Sequence, residues 1–355
     1  MNNRNFKLTS LVLCLPLALV LGACGANTPN DSSTKADSVP NGAVTITNCG
    51  EQVHYGSTSR LFVNDSNLIA DVLALGGESK VVAATKTNHD GELLRQKFGD
   101  AAVEALPVIA EETPSLESII AQKPDIFVAG WSYGLSESKN ITPESLSQQG
   151  IGTYILSESC RQQGSNARGT VDPWEAVRED IRNLGDIIGD KDKESKVLTD
   201  FDSRLSALQS KPQAEKKPVG FIFDSSSDTV FTSGNKGGPA AVVTAAGSDL
   251  ATASIDDTWV SVPWEQITAS APDYFIFVDY PGQSVEDKVA ALESNPATED
   301  LPAVKNHRYI KLRYSMLTSS VLNIDAAENV REALESWNLV PQTGITPALN
   351  FAWQV

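Results

Sequence analysis

The pentapeptide Gly130-Trp131-Ser132-Tyr133-Gly134 is the segment of this 355-residue chain whose residue types most directly suggest chemistry. It has the G-x-S-x-G pattern of a nucleophile elbow, and Asp279 and His307 follow it in the order found in α/β hydrolases. His307 precedes a predicted strand, however, whereas a triad histidine stands at the carboxyl end of the sheet beside the serine. The sequence also lacks an HGGG-like oxyanion segment, so a hydrolase that uses Ser132 is the distant alternative.

Aromatic, polar and cationic residues that follow predicted strands are better candidates, and the chemistry they suggest is binding. Trp131 and Tyr133 stand between two glycines directly after a strand. The other candidates after predicted strands are Asn64, Lys86, Arg161, Tyr280, Arg313 and Tyr314, with Arg168 and Lys236 as further cations near these loops. In a parallel sheet the carboxyl ends of the strands meet at one edge, where ligands collect.

The elements that would position these residues alternate between β-rich runs and helical patterns. This alternation predicts an α/β fold with two lobes, each a mainly parallel central sheet flanked by helices. Predicted strands lie at 60–63, 80–84, 125–129 and 153–156 in the first lobe and at 219–223, 274–278 and 309–312 in the second. Predicted helices lie at 67–75, 115–122, 240–246, 285–292 and 326–337. The loops after the strands would therefore line a cleft between the lobes.

Residues 172 to about 209 show no strand signal and predict one long bridging helix, slightly broken at Gly189-Asp190. Asp172 is a candidate N-cap, with Pro173 at the first helical position. A helix of about 37 residues would be ~55 Å long, enough to run from one lobe to the other. The predicted organisation is a signal segment (1–23), a flexible tether (24–43), an N-terminal lobe (44–171), the bridging helix (172–210), a C-terminal lobe (211–339) and an extension (340–355) whose partner stays open.

The N-terminus has the layout of a secretory signal. Arg4 and Lys7 precede an apolar core from Leu8 to Leu21, which is shorter than the ~20 residues of a comfortable transmembrane helix. The sequence Leu21-Gly22-Ala23-Cys24 resembles the bacterial lipobox, in which the cysteine is acylated and the chain is cut before it. This resemblance implies lipid attachment, for example of palmitate, at Cys24 and a position at the extracytoplasmic face of the cell membrane. An ordinary signal peptide with an incidental cysteine is the alternative.

Charge and cysteine content narrow the class of partner and the compartment. The formal net charge is −17, and removing residues 1–23, which hold two cations and no acid, makes it −19. Such a surface repels polyanions, so nucleic acid is not an expected partner. Cys14 would leave with the signal and Cys24 would be acylated, so Cys49 and Cys160 remain. In an oxidising compartment a disulfide between them is expected, with two free buried thiols as the alternative.

Several segments between residues 44 and 338 carry a resemblance to a known family. They are Val44–Gly50, Pro114–Asp125, Phe231–Gly234, Trp259–Glu265 and Ala271–Tyr274. In this order, behind a lipobox and around a bridging helix, they resemble the solute-binding lipoproteins of ABC importers for iron-siderophores, haem and vitamin B12. The resemblance implies a class III periplasmic binding protein with no enzyme activity and no intrinsic cofactor. Such a monomer captures a metal chelate in the cleft and delivers it to a permease and, through the permease, to an ATPase.

The resemblance also implies a ligand class and some of its contacts. An iron-siderophore is the leading ligand, and cobalamin, haem or another large cofactor is the alternative. Trp259 stands where related proteins place a pocket tryptophan, although core packing is a second explanation and Trp264 is the better core candidate. The cations would suit anionic siderophores or haem propionates. Where certain hydroxamate binders use an arginine, before Pro114, this chain has Glu111-Glu112-Thr113, so the siderophore type stays open.

Metal coordination and docking depend on a few further residues. Of three histidines, only His89 lies on a cleft-side loop, where Tyr133, Tyr280 and Tyr314 are possible phenolate ligands for haem. No His/carboxylate cluster suggests a bare metal site. The family docks on its permease through one exposed carboxylate per lobe. Glu117 fits the first position; in the second lobe Thr244 stands where relatives often carry glutamate, and Asp249 is the candidate.

Overall fold

A computed structural model describes residues 42–85, 89–110 and 114–355. Cys24 and the whole signal segment lie outside the described residues, as do Lys86 and Glu111 to Thr113. Within the described ranges, every helix is too short or too polar to cross a lipid bilayer. We use "first lobe" for the part built around the first parallel sheet (residues 44–171) and "second lobe" for the part built around the second (residues 211–339).

The first lobe contains a parallel sheet with β-strand order β5-β4-β3-β6, to which β7 and β8 both add by pairing with β6. The strands are β1 (Val44–Asn48), β2 (Glu51–Tyr55), β3 (Leu61–Val63), β4 (Val81–Thr85), β5 (Val108–Ala110), β6 (Ile126–Trp131), β7 (Gly134–Leu135) and β8 (Gly152–Ile155). The helices are α1 (Ser66–Ala74), α2 (Gly91–Phe98), α3 (Asp100–Glu104), α4 (Leu116–Ala121) and α5 (Pro143–Ser147). Strand β6 is buried along its first five residues, because helices cover both faces of a parallel sheet and select continuous apolar runs.

Residues 172–210 form two helices. They are α6 (Pro173–Ile188) and α7 (Lys191–Gln209). Gly189 ends α6 in the left-handed conformation, with φ of 85°, which glycine adopts without steric cost. Arg178 Nε then donates to Asp202 Oδ1 at 2.7 Å, and the Trp174 and Phe201 rings meet edge to face at 5.5 Å, so the two helices run antiparallel. The prediction of one ~55 Å helix was therefore wrong. At Gly189, where a slight break was expected, the chain reverses its direction. Helix α7, about 28 Å long, then leads into the second lobe.

The second lobe contains a four-stranded parallel sheet with strand order β12-β9-β14-β15 and a smaller antiparallel sheet, β10-β11-β13. Its strands are β9 (Val219–Phe223), β10 (Ser225–Ser226), β11 (Val230–Ser233), β12 (Asp249–Leu250), β13 (Trp259–Val262), β14 (Tyr274–Asp279) and β15 (Tyr309–Arg313). Its helices are α8 (Gly238–Ala245), α9 (Glu265–Ser270), α10 (Val285–Ser294), α11 (Pro302–Lys305) and α12 (Asn323–Ser336). One apolar cluster, reaching from Leu61 to Trp353, packs both lobes and both connecting helices together.

Two further connections hold the ends of the described chain. Cys49, between β1 and β2, forms a disulfide with Cys160 after β8, as predicted, and fastens the N-terminal hairpin to the first lobe. The C-terminal extension, whose partner could not be predicted, packs on the second lobe. Trp353 is buried there, and its carbonyl accepts from Lys311 N at 2.8 Å, beside the exposed edge of the second sheet.

Candidate ligand-binding cleft

The loops at the carboxyl ends of the two parallel sheets meet each other. The His89 ring, after β4, lies 5.1 Å from the Tyr280 ring, after β14, between centroids. Tyr314, after β15, donates its hydroxyl hydrogen to Asp65 Oδ2, after β3, at 2.8 Å. These loops were predicted to line one cleft because a parallel sheet places them at the same edge. The structure brings them together across the two lobes.

Trp131 and Arg161 form the first-lobe wall of the cleft. The guanidinium of Arg161 lies over the indole, with Cζ 3.7 Å from the ring centroid. Arg161 Nη1 also donates to Glu137 Oε1 at 2.6 Å. These three residues line a hollow of about 350 Å³, which lies within the size range of small-molecule sites. The wall therefore offers a flat aromatic and cationic surface whose positive charge already has a partner.

Arg168 connects the two walls. Its Nη1 approaches the carbonyl of Trp131 at 3.4 Å, and its Nη2 donates to the carbonyl of Trp259 at 3.2 Å. Its Nε also lies 3.9 Å from Asp257 Oδ1, and its guanidinium faces the Tyr133 ring at 5.8 Å. Sequence analysis included Arg168 only as a further cation near the loops. In the structure it holds the backbone of both candidate pocket tryptophans.

Trp259 is almost fully buried and stacks on Phe231, with ring centroids 5.9 Å apart. Its Nε1 donates to Glu158 Oε1 at 3.3 Å, and the Tyr133 hydroxyl donates to the same oxygen at 3.4 Å. Both predicted pocket aromatics thus lie at the bottom of the cleft, where their polar atoms share one acceptor. Phe231 is partly exposed and continues the aromatic surface toward the opening.

The second-lobe wall is formed by the loops after β9 and β14. A hollow of about 660 Å³ is lined by residues that include Asp224, Phe231, Tyr280 and Lys288. Lys288 is buried and donates to the carbonyl of Val278. Burial lowers the pKa of Lys288, although Asp224 beside it acts in the opposite direction. This wall is therefore also aromatic and internally charge-balanced.

Four cations that sequence analysis selected each lie near a carboxylate. Arg313 Nη1 donates to Asp279 Oδ2 at 2.7 Å, and the two residues are adjacent at the ends of β15 and β14. Lys236 Nζ lies 3.6 Å from Asp256 Oδ1, and the pairs of Arg161 and Arg168 are described above. These pairs reduce the positive field that the four cations present, whereas the exposed Lys139 also lines the first-lobe hollow.

The aromatic cluster of His89, Tyr280 and Tyr314 could in principle ligate haem iron. His89 Nε2 lies 3.2 Å from the buried carboxylate of Asp90. Burial of His89 opposes protonation, but Asp90 and Asp65 more than compensate, so the pKa of His89 lies above its ordinary value. Burial and the neighbouring Asp65 carboxylate raise the pKa of Tyr314 well above its usual range. The carboxylates thus favour protonation of His89, and burial favours the neutral phenol of Tyr314, and both effects oppose coordination of iron by these residues.

Other predicted residues lie elsewhere. Asn64 is buried, and its Nδ2 donates to the carbonyl of Tyr133 at 2.9 Å, so it supports the loop from below. Glu117 is exposed in the first turn of α4, where hydrogen bonds to its own backbone and to Ser115 lower its pKa. Asp249 and Thr244 are exposed on the second lobe, with Asp249 3.9 Å from Lys217. Lys86 falls among the residues that the structure leaves undescribed.

Sequence analysis missed Glu158, Asp65 and Glu137 as cleft residues. All three lie in or near loops that follow predicted strands, and Glu158 is in the loop after the predicted strand 153–156. Only Arg161, from that loop, was selected, because cations match anionic ligands. The same criterion, a position in a loop after a predicted strand, would have selected these acids if hydrogen-bond acceptors had been considered as well as donors.

The serine-hydrolase alternative does not match the geometry. Ser132 is exposed in the tight turn between β6 and β7, with φ of 68°. Asp279 ends β14, whereas His307 precedes β15, the parallel neighbour of β14. The two residues therefore lie beyond opposite ends of the parallel strands, about 17 Å apart along strands of this length. His307 instead contacts Glu293, with Nδ1 3.1 Å from Oε1.

Two lobes, each with a parallel sheet, whose loops at the carboxyl ends of the strands meet one another define a class III binding-protein fold. A family model described as periplasmic binding protein matches residues 65–315, and the chain belongs to this family. No curated protein matches the sequence.

Solved structures with the same fold include three that bear on the cleft. A periplasmic binding protein from Veillonella parvula is 23% identical, with a TM-score of 0.67 over 82% of this chain and 97% of that one. An ABC-type Fe³⁺-hydroxamate transport system from Saccharomonospora viridis is 22% identical, with a TM-score of 0.68 over 82% and 98%. A periplasmic haem-binding protein of Vibrio cholerae is 17% identical, with a TM-score of 0.59 over 78% and 99%. At these identities the likeness shows the fold and leaves the ligand to the residues of the cleft.

Proposed function

We propose that this protein is the extracytoplasmic receptor of an ABC importer, and that it captures an iron-siderophore chelate between its lobes and delivers it to a permease. The observation that carries the proposal is the group of aromatic and guanidinium side chains where the lobes meet, with Arg161 stacked on Trp131 and Arg168 joining the carbonyls of Trp131 and Trp259. Flat π faces and planar donors suit the ligand shell of a chelate, which presents oxygen acceptors and apolar edges.

Charge pairing in the cleft favours a chelate without net charge. Three singly negative hydroxamates neutralise ferric iron, whereas three catecholates leave the complex strongly anionic. An anionic complex would need cations that are not already compensated, but Arg161, Arg168 and Arg313 each lie near a carboxylate. A neutral ferric hydroxamate is therefore the preferred probe, and cobalamin, which also lacks a large net charge, is the runner-up.

Haem is less well supported, although solved proteins of this fold include haem-binding ones. Its propionates would meet the same compensated arginines. His89 and Tyr314, two of the predicted ligands, are engaged with Asp90 and Asp65. Coordination by either would require breaking these contacts before the iron could bind.

The test is a titration of ferrioxamine B, a ferric tris-catecholate, haem and cyanocobalamin, followed by quenching of tryptophan fluorescence and by calorimetry. Ferrioxamine B is used throughout with its terminal amine acetylated, because the free amine would be protonated and would make the complex cationic. We expect ferrioxamine B to bind with Kd below ~10 μM and the tris-catecholate to bind at least ~10-fold more weakly. Binding of cyanocobalamin alone would select the runner-up. If none of the four ligands binds below ~10 μM, the metal-chelate proposal is wrong.

The proposal includes a lipid anchor at Cys24, supported by the lipobox resemblance of residues 21–24. Acylation would keep the receptor near its permease at the membrane surface. We expect Cys24→Ala to abolish incorporation of labelled palmitate and to release the protein from the membrane fraction. Retention of label in this variant would contradict the assignment.

Docking on the permease is proposed for Glu117 and Asp249, because both are exposed and each belongs to a different lobe. We expect Glu117→Ala to reduce uptake of the bound chelate without changing its Kd. Glu299→Ala, another exposed carboxylate, is the matched control and should leave uptake unchanged. Equal uptake by both variants would remove Glu117 from the docking surface.

A further inference from the structure

Glu158 is a buried first-lobe carboxylate that accepts hydrogen bonds from the second lobe. It lies in the short 3₁₀ turn Ser157–Ser159 after β8 and is 1% exposed. Its Oε2 accepts from Ser319 N at 2.7 Å and from Gly238 N at 3.3 Å. Its Oε1 accepts from Trp259 Nε1 and from the Tyr133 hydroxyl, as described above. One carboxylate therefore contacts two pocket aromatics and two backbone segments of the other lobe.

The second lobe requires an acceptor at this point. Gly238 begins α8, so its N–H has no partner within the helix, and the segment carrying Ser319 packs directly against it. The approach is so close that a Cβ atom on Gly238 would lie 2.7 Å from the carbonyl oxygen of Leu317. The N-cap residue of α8 is Gly237, which has no side chain to cap these amides. A buried, unpaired N–H is costly, so an acceptor from the first lobe must supply the partner.

We propose that Glu158 is a positioning residue that couples the ligand-binding aromatics to the contact between the lobes. Its Oε1 fixes the indole of Trp259 and the phenol of Tyr133, while its Oε2 holds the backbone at Gly238 and Ser319. A shift of either ring therefore changes the lobe contact, and parting of the lobes releases both rings. The pocket role of these rings rests on the proposed function; the coupling through Glu158 itself is independent of which ligand binds.

The surroundings of Glu158 make this contact sensitive to pH. The charged and titratable groups that face it are Arg168, which lies near Asp257, and Tyr133, which Asp65 also influences. Burial raises the pKa of Glu158 to about 7, against the opposing effect of the Ser319 amide and Arg168. When the lobes part, water reaches the carboxylate and its pKa returns toward the ordinary value. The pKa of Glu158 is raised in the closed form, so protonation of this carboxylate stabilises the contact between the lobes at low pH. This stabilisation is lost as pH rises through about 7.

The test is amide hydrogen exchange of the ligand-free protein, corrected for the intrinsic rate at each pH. It follows the segments 237–242, 317–322, 258–262 and 132–135. In the wild type we expect about 10-fold stronger protection of these segments at pH 6 than at pH 8. Glu158→Gln carries a neutral side chain at both pH values, like the protonated carboxyl, so protection should lose its pH dependence and stay near the level that the wild type shows at pH 6.

Asp180→Asn is the matched control. Asp180 is also 1% exposed, and burial raises its pKa to about 7, but its hydrogen-bond partners, Tyr154 and Ser157, belong to the first lobe. We expect this variant to leave exchange of the four segments unchanged. Glu158→Asp keeps the charge but is one methylene shorter, which withdraws the acceptor from Ser319 N and Gly238 N, so protection of the four segments should fall about 10-fold. This variant tests the coupling even if the Gln variant does not fold.

Two results would overturn the proposal. One is wild-type exchange of the four segments in both Glu158 variants. The other is an equal loss of protection in Asp180→Asn, which would indicate general loosening. No ligand is present in this experiment, so a failure of ferrioxamine B to bind would count against the proposed function alone.

Discussion

The guanidinium of Arg161 lies over the indole of Trp131 at 3.7 Å, and the same guanidinium is held by Glu137 at 2.6 Å. Glu137 therefore determines both the orientation of the arginine and the net charge of the first-lobe wall. A planar group held on both sides loses little freedom when a ligand arrives, so this wall is preorganised for a flat or rounded neutral surface.

Replacement of Trp131 by alanine should weaken binding of ferrioxamine B by about 10-fold, because an aromatic contact contributes about 1–1.5 kcal/mol beyond its area. Calorimetry measures the change. Trp337→Phe is the control, since Trp337 packs on Trp353 and Tyr274 outside the cleft, and it should bind as the wild type does. A wild-type Kd for Trp131→Ala would remove this indole from the site.

Glu137→Gln should change ligand preference in favour of anions. Removing the carboxylate leaves Arg161 uncompensated, so affinity for a ferric tris-catecholate should rise about 5-fold, while that for ferrioxamine B changes little. Titration of both chelates measures the shift. Asp300→Asn removes one charge from an exposed pair with Lys305 and controls for net charge. Equal gains in both variants would show that long-range charge alone sets the preference.

The disulfide should contribute about 4 kcal/mol to the free energy of unfolding, because it closes a loop with a sequence separation of 111 residues. The Cys49→Ser/Cys160→Ser variant should therefore unfold at a lower urea concentration. Reductant should destabilise the wild type and leave the double variant unchanged. Identical urea midpoints for wild type and double variant would show that the bond restrains only the hairpin.

Glu335 should stabilise the second lobe at neutral pH and lose this effect in acid. Burial opposes its ionisation, but hydrogen bonds from Thr343 and the contact with Arg331 more than compensate, so the pKa of Glu335 falls to about 2. A depressed pKa means that the stabilisation is present above the ordinary value and disappears as pH falls through about 2.

Glu335→Gln should accordingly be less stable than the wild type by about 2–3 kcal/mol at pH 7. The difference should shrink as pH falls from about 4 to 2, as measured by urea unfolding across that range. Glu299→Gln, at an exposed position, should show no such trend. A constant difference at all pH values would mean that packing, not charge, accounts for the loss.

Most strands of the two parallel sheets could be predicted because strands covered on both faces appear as continuous apolar runs. Short elements were missed, including β10 to β13 and α3, since a few residues carry little periodic signal. The reversal at Gly189 was underestimated, because a glycine that ends one helix gives no indication of the direction of the next.

The candidate site was predicted unevenly for a related reason. Loop positions after strands selected Trp131, Arg161 and Tyr280, because sheet geometry alone brings such loops together. Their contact with a ligand stays a prediction. The partners of the cations could not be predicted, since Glu137 and Asp257 reach Arg161 and Arg168 through loop conformations. The proposed preference for a neutral chelate rests on those partners and not on the count of arginines.

By itself, the sequence determined the two-lobed α/β class and the loops that form the cleft, because apolar periodicity and the succession of strands along the chain are local properties. The family followed from the short segments that resemble it. Tertiary structure decided the net charge of the cleft walls and the role of Glu158. A lone glutamate carries no pattern, and its acceptor oxygens acquire a function only where folding brings Gly238, Ser319 and Trp259 within hydrogen-bonding distance.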